Sequence, residues 1–256
     1  MKILKFISIA LTTAVLVSLV IPATATEASS AKVSPRSTPP SAGPDLDLEA
    51  ASATLMKSLD LVVFEIEVAG KAGHTTPEAR GSLDGAPVLG YVFPTDLAPK
   101  NVGFRGAEGT VALAVTSHPD FDDTPLWDES GDLVYDNDGI VFHSHWVLLQ
   151  SDERVAGGLS VIEFPEDEIS QRLPPTNPSM PMYMDSPGFS IVFDGKVLRV
   201  LVPRQRLGGR ADFRFDAVTA YLEVSTSGPG PLLGVHQVYE VLSGDLSLPY
   251  RVKAVR

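Results

Sequence analysis

The stretch Gly139-Ile140-Val141-Phe142-His143-Ser144-His145-Trp146-Val147-Leu148-Leu149 decides how the chain is read. A glycine opens a run dense in β-branched, aromatic and aliphatic side chains, which describes a buried strand, expected over 140–150. Successive side chains of a strand point to opposite faces. His143 and His145 therefore share a face with Val141, Val147 and Leu149, while Ser144 points the other way.

On both sides of this stretch, similar short apolar runs recur between Gly- and Pro-bearing turns. Strands are expected at 62–68, 88–93, 109–116, 159–164, 189–193, 196–203, 213–225, 232–242 and 248–255. In the first, Phe64, Ile66 and Val68 oppose Val63, Glu65 and Glu67. Asp194-Gly195 between two of these runs is the signature of a type I′ hairpin. The stretch 173–187, with five prolines, reads as a long extended connection. Asp45–Asp60 carries Leu46, Leu48, Ala51, Leu55, Met56 and Leu59 at the spacing of a short amphipathic helix. The fold expected is mainly β: an antiparallel β-sandwich, Greek-key or jelly-roll-like, with a short N-terminal helix, in one domain over 46–256.

The N-terminus reads differently. Lys2 and Lys5 precede an apolar run from Ile7 to Ile21, and Ala23-Thr24-Ala25 supplies the small residues a signal peptidase accepts. A signal peptide over 1–25 is expected, and with it an exported protein, periplasmic or secreted, of bacterial type. No stable membrane insertion is expected once that segment is removed. Residues 26–45, rich in Ala, Ser, Pro and Thr, read as a disordered leader, too poor in large apolar groups to offset their ordering entropy.

The chain has no cysteine, which excludes disulfides, thiolate catalysis, zinc-finger sites and iron–sulfur clusters. Without Lys2 and Lys5 it holds 18 basic against 32 acidic residues, a net −14. Such a charge repels phosphate backbones, so nucleic acid is not an expected partner, whereas a small cation or small molecule is. No P-loop, no Gly-x-Gly-x-x-Gly and no Gly-x-Ser-x-Gly elbow occurs.

Two imidazoles two residues apart on a stiff strand can share one ion. His118, just past the 109–116 strand, and His236, within the 232–242 strand, are candidate third and fourth ligands. Asp120 and Asp122, in the loop between the 109–116 and 140–150 strands, can complete or orient the shell. The candidate metal residues are thus His118, His143, His145, His236, Asp120 and Asp122, for zinc, copper, iron or manganese. The motif is similar to the His-x-His of cupins and of copper–zinc superoxide dismutase. Glu153 stands eight residues after His145, outside the cupin spacing, and the dismutase's usual cysteines are missing, so no family follows.

Eight acidic residues crowd into 120–138, a concentration of like charge that a calcium ion would relieve. Two functions from different classes are therefore carried forward. One is an exported metal-binding protein, either a metal handler or a small metalloenzyme. The alternative is a metal-free or calcium-stiffened envelope binding or structural module.

Overall fold

Alternation sets the first strands. In Leu61–Val68 the residues Val62, Phe64, Ile66 and Val68 are buried while those between them are half-exposed, the pattern of a sheet with one face on a core. Val197–Pro203 repeats it with Leu198, Val200 and Val202. The computed structural model describes residues 32–77, 83–118 and 142–255. Its strands are β1 (Leu48–Met56), β2 (Leu61–Val68), β3 (Pro87–Pro94), β4 (Thr110–Ser117), β5 (His143–Ser151), β6 (Leu159–Val161), β7 (Met184–Asp185), β8 (Ser190–Asp194), β9 (Val197–Pro203), β10 (Arg214–Phe215), β11 (Val218–Val224), β12 (Leu233–Val241), β13 (Tyr250–Arg251) and β14 (Lys253–Val255).

Five strands form an open sheet in the order β14-β1-β2-β9-β8. A second sheet runs β4-β3-β11-β12-β6-β5, and β5 pairs back onto β4 from Thr110↔Leu149 to Thr116↔His143. That pairing closes a six-stranded barrel, with β7 added on β5. Strands β10 and β13 make a separate short ribbon. The expected sandwich is thereby corrected to a closed barrel with an open sheet beside it. Closure removes two edges of unpaired N–H and C=O groups that an open sheet would expose.

Two cores result from the two faces of the barrel strands. Leu89, Tyr91 and Phe93 of β3, Leu113 and Val115 of β4, and Trp146 and Leu148 of β5 face outward and pack with Phe64, Ile66 and Val200 of the open sheet. Their alternates face inward: Val88 and Val92, Ala112 and Ala114, Val147 and Leu149, joined by Ala220 and Leu222 of β11.

The expected N-terminal helix is a strand. Residues 48–56 pair antiparallel with β2 from Leu48↔Val68 to Met56↔Leu61, and only Leu48 and Ala53 are buried. The helical spacing of its leucines yields to the exposed hydrogen-bonding edge of β2, because helix propensity differences are small against a full ladder of pairings.

Within 26–45, the described residues 32–45 lie against the barrel. Val33 bridges Val155, the backbone N–H groups of Arg36 and Ser37 donate to Glu223, and Tyr239 Oη donates to Pro40 O at 2.9 Å. Composition gives the segment no fold of its own; the described part is held by contacts that the barrel supplies.

The β8–β9 hairpin forms, but its turn is not of type I′. Asp194 pairs with Val197, so the linking residues are Gly195 and Lys196, and of these only Gly195 has positive φ. Type I′ needs positive φ at both. Among the described residues no helix is long and apolar enough to cross a membrane.

Candidate metal centre

Register places the histidines. Thr116 of β4 is the partner of His143, and Ala114 is the partner of His145. His118 lies two residues beyond Thr116, so it continues the inward face of β4 toward the ring of His143. All three are buried, at 2%, 3% and 2% exposure for His118, His143 and His145. One ligand nitrogen from each lies within 4.8 Å of the other two. His118 Nε2 and His143 Nε2 are 2.9 Å apart, and the His143 and His145 ring centres are 4.6 Å apart.

The third ring is oriented by a residue that local sequence did not single out. Strand β7 pairs with β5 at Trp146↔Asp185 and Val147↔Met184. One step further along that register, Ser186 comes level with His145, and Ser186 Oγ lies 2.9 Å from His145 Nδ1. A ligating histidine is generally fixed in this way through its second ring nitrogen, which leaves Nε2 for the ion. In the sequence, Ser186 falls within the extended connection expected over 173–187, and only the pairing of β7 with β5 reveals its role. Asp185 itself is fully buried. Burial pushes its carboxyl above the usual range, against a hydrogen bond from Thr176 and the Arg206 guanidinium 3.8 Å away.

Ser144 takes the opposite face, as alternation requires. Its Oγ accepts a hydrogen bond from Phe189 N at 3.1 Å, so it is tied to the outer core.

The other candidates part company. His236 is not in the cluster. Val235 before it faces the barrel interior, which turns His236 to the outer side, near Glu223 rather than near His145. Asp120 and Asp122 lie outside the described residues, as do the signal segment and the acidic stretch 120–138 with its expected calcium ion.

His236 carries a prediction of its own. It is 8% exposed, and its Nδ1 has no hydrogen-bond partner among the described residues. Burial lowers its pKa, opposed by the charge of Glu223. The unfolded ring binds its proton near the ordinary value of about 6.5, while the folded ring resists protonation to lower pH. The stability tied to this neutral ring is thus complete above that value and is lost as pH falls below it. Calorimetric melting at about pH 7.5 and about pH 5.5 should show a decline that shrinks in His236→Phe. An undiminished decline in the variant would assign the pH sensitivity elsewhere.

No family model, no curated protein and no solved structure matches this chain.

Proposed function

We propose that this is an exported metal-binding protein whose His118, His143 and His145 hold one transition-metal ion. The observation that carries the reading is the convergence of three buried imidazole nitrogens within 4.8 Å. Two further facts support it: two rings sit on β5 and the third just past the end of its partner β4 in a closed barrel, and His145 is oriented through Ser186. An ion of about 2.0–2.1 Å bond length holds tetrahedral nitrogens roughly 3.3 Å apart, so the 2.9 Å pair needs to open by only a few tenths of an ångström. Imidazole donors suit zinc, copper and iron better than manganese, which prefers oxygen.

Three protein ligands leave a further coordination position, through which a bound ion would act as a Lewis acid toward water or a small substrate. Metal handling and metalloenzyme are both compatible with that arrangement. Export is supported by Lys2, Lys5, the apolar run and Ala23-Thr24-Ala25.

One observation favours a second reading. The 2.9 Å separation is also that of an N–H···N hydrogen bond, so His118 and His143 can satisfy each other with no ion, in a metal-free binding or structural module.

Elemental analysis separates the two. Protein purified without added metal or metal-affinity resin should carry near one transition-metal ion per chain, and the His143→Ala/His145→Ala double variant should carry almost none. A native protein that stays metal-free after dialysis against zinc, copper, iron and manganese salts sinks the first reading. A His118–His143 N–H···N coupling in its ¹⁵N spectra would then establish the second.

A further inference from the structure

We infer that the barrel interior is a binding site for a small apolar molecule of about five or six heavy atoms that carries one oxygen at its end. This goes beyond the metal reading and does not depend on it.

The observation is a cavity of about 90 Å³ inside the barrel. One water needs about 10–15 Å³ of such space, so the cavity is several waters large. Small inward side chains leave this room: Ala114 on β4 and Ala220 on β11 stand where larger residues would meet across a barrel of only six strands. Val, Leu and Met side chains make up most of the wall. Such a wall gives water no partners, and apolar cavities of this kind stay dry or take up apolar ligands. The thioethers of Met182 and Met184, both in the lining, can adapt to an occupant.

One end is different. Thr116, His118 and His145 line it, and the hydroxyl of Thr116 is buried with no hydrogen-bond partner among the described residues. A buried hydroxyl left unpaired costs free energy that a ligand oxygen would recover. The apolar wall and this single polar end together define the ligand: a short hydrocarbon body with one alcohol, aldehyde or similar oxygen directed at Thr116.

The opposite end gives access. Val238 and Leu246 line the cavity there, and they are 36% and 37% exposed. Leu246 is held at φ 57°, in the left-handed region that branched and bulky residues avoid. The turn around it is fixed by Gly244 N to Val241 O at 2.9 Å and Ser247 N to Asp245 Oδ1 at 3.0 Å. A side chain placed on one short turn can swing aside without disturbing the barrel.

The test uses the full chain with ¹³C-methyl methionine, observed by NMR during titration with 1-pentanol. The Met182 and Met184 methyl signals should shift and saturate, while that of Met56, on the open sheet, stays put. Pentane-1,5-diol should bind at least ten times more weakly, because its second hydroxyl would be buried among apolar side chains. Thr116→Val should lower the 1-pentanol affinity several-fold, and Ala114→Leu should abolish the saturable shift by filling the space. The comparison of the two alcohols requires no variant and stands even where Ala114→Leu does not fold. Shifts that grow linearly without saturation, or that are equal for pentanol and the diol, overturn the inference. Metal content measured on the same samples keeps the two ideas apart: pentanol binding without metal sustains the cavity and removes the ion, and metal without pentanol binding does the reverse.

Discussion

Supplying zinc to the metal-stripped protein, at about a thousand times its dissociation constant, should raise the unfolding free energy by about 4 kcal/mol. For a domain of this size that is a rise in melting temperature of roughly 10 °C. The reason is geometric. His143 and His145 are neighbours in sequence, but His118 is separated from them by the 25 residues to His143 and meets them only when β4 pairs with β5. The unfolded chain does not hold that arrangement, so nearly all of the ion's binding free energy appears as folding free energy. His118→Ala and His143→Ala should each remove most of the zinc-induced rise. Ser186→Ala should only weaken binding, by about 10–100-fold, since it removes the hydrogen bond to Nδ1 and leaves the three nitrogens in place. Melting curves with and without zinc measure all of this. An equal zinc-induced rise in the His143→Ala/His145→Ala variant would place the ion somewhere else on this acidic protein.

Phe64→Ala should cost about 3–5 kcal/mol of stability, the usual range for truncating a buried phenylalanine. Natural domains hold only about 5–15 kcal/mol in all, so this single change removes a large part of the total. Phe64 is fully buried on β2 and is the point where the open sheet meets the barrel. Its ring lies 5.2 Å from Phe93 of β3 in an edge-on arrangement, 5.8 Å from Phe213 stacked, and 6.4 Å from Phe215. Truncation would take away one member of a four-ring cluster and leave a cavity at the seam. Denaturant titration of the apo protein is the measurement, because no ion then contributes. The zinc-induced rise should survive in Phe64→Ala, since the histidines face the other side of the barrel wall. A loss below about 1 kcal/mol would mean that the two layers hold together by other contacts.

The ion reading and the interior cavity meet at one place. His118 and His145 belong both to the histidine cluster and to the cavity wall. A small oxygen-bearing molecule held by Thr116 would therefore lie beside an ion on the histidines. Occupied together, the two sites would give a substrate pocket with a Lewis acid at its polar end.

Several features were legible in the residues themselves because they depend only on local periodicity. The two-residue repeat assigned most strands, put His143 and His145 on one face, and turned Ser144 away from them. Composition excluded cysteine chemistry outright. Other features depended on which strand lies beside which. A helix-like spacing over Asp45–Asp60 gave way to strand β1 because β2 offered an open edge. The sheet closed into a barrel because β5 paired with β4, strands well separated along the chain, and no periodicity records a pairing of that kind. That same pairing brought His118 to the other two rings, while β7 carried Ser186 to His145 from about forty residues away. His236 shares the residue type but sits on the outer side of β12. Local sequence determined which way each side chain faces along its own strand; the tertiary structure decided which of those faces meet, because strand neighbours are chosen by long-range hydrogen bonding and packing.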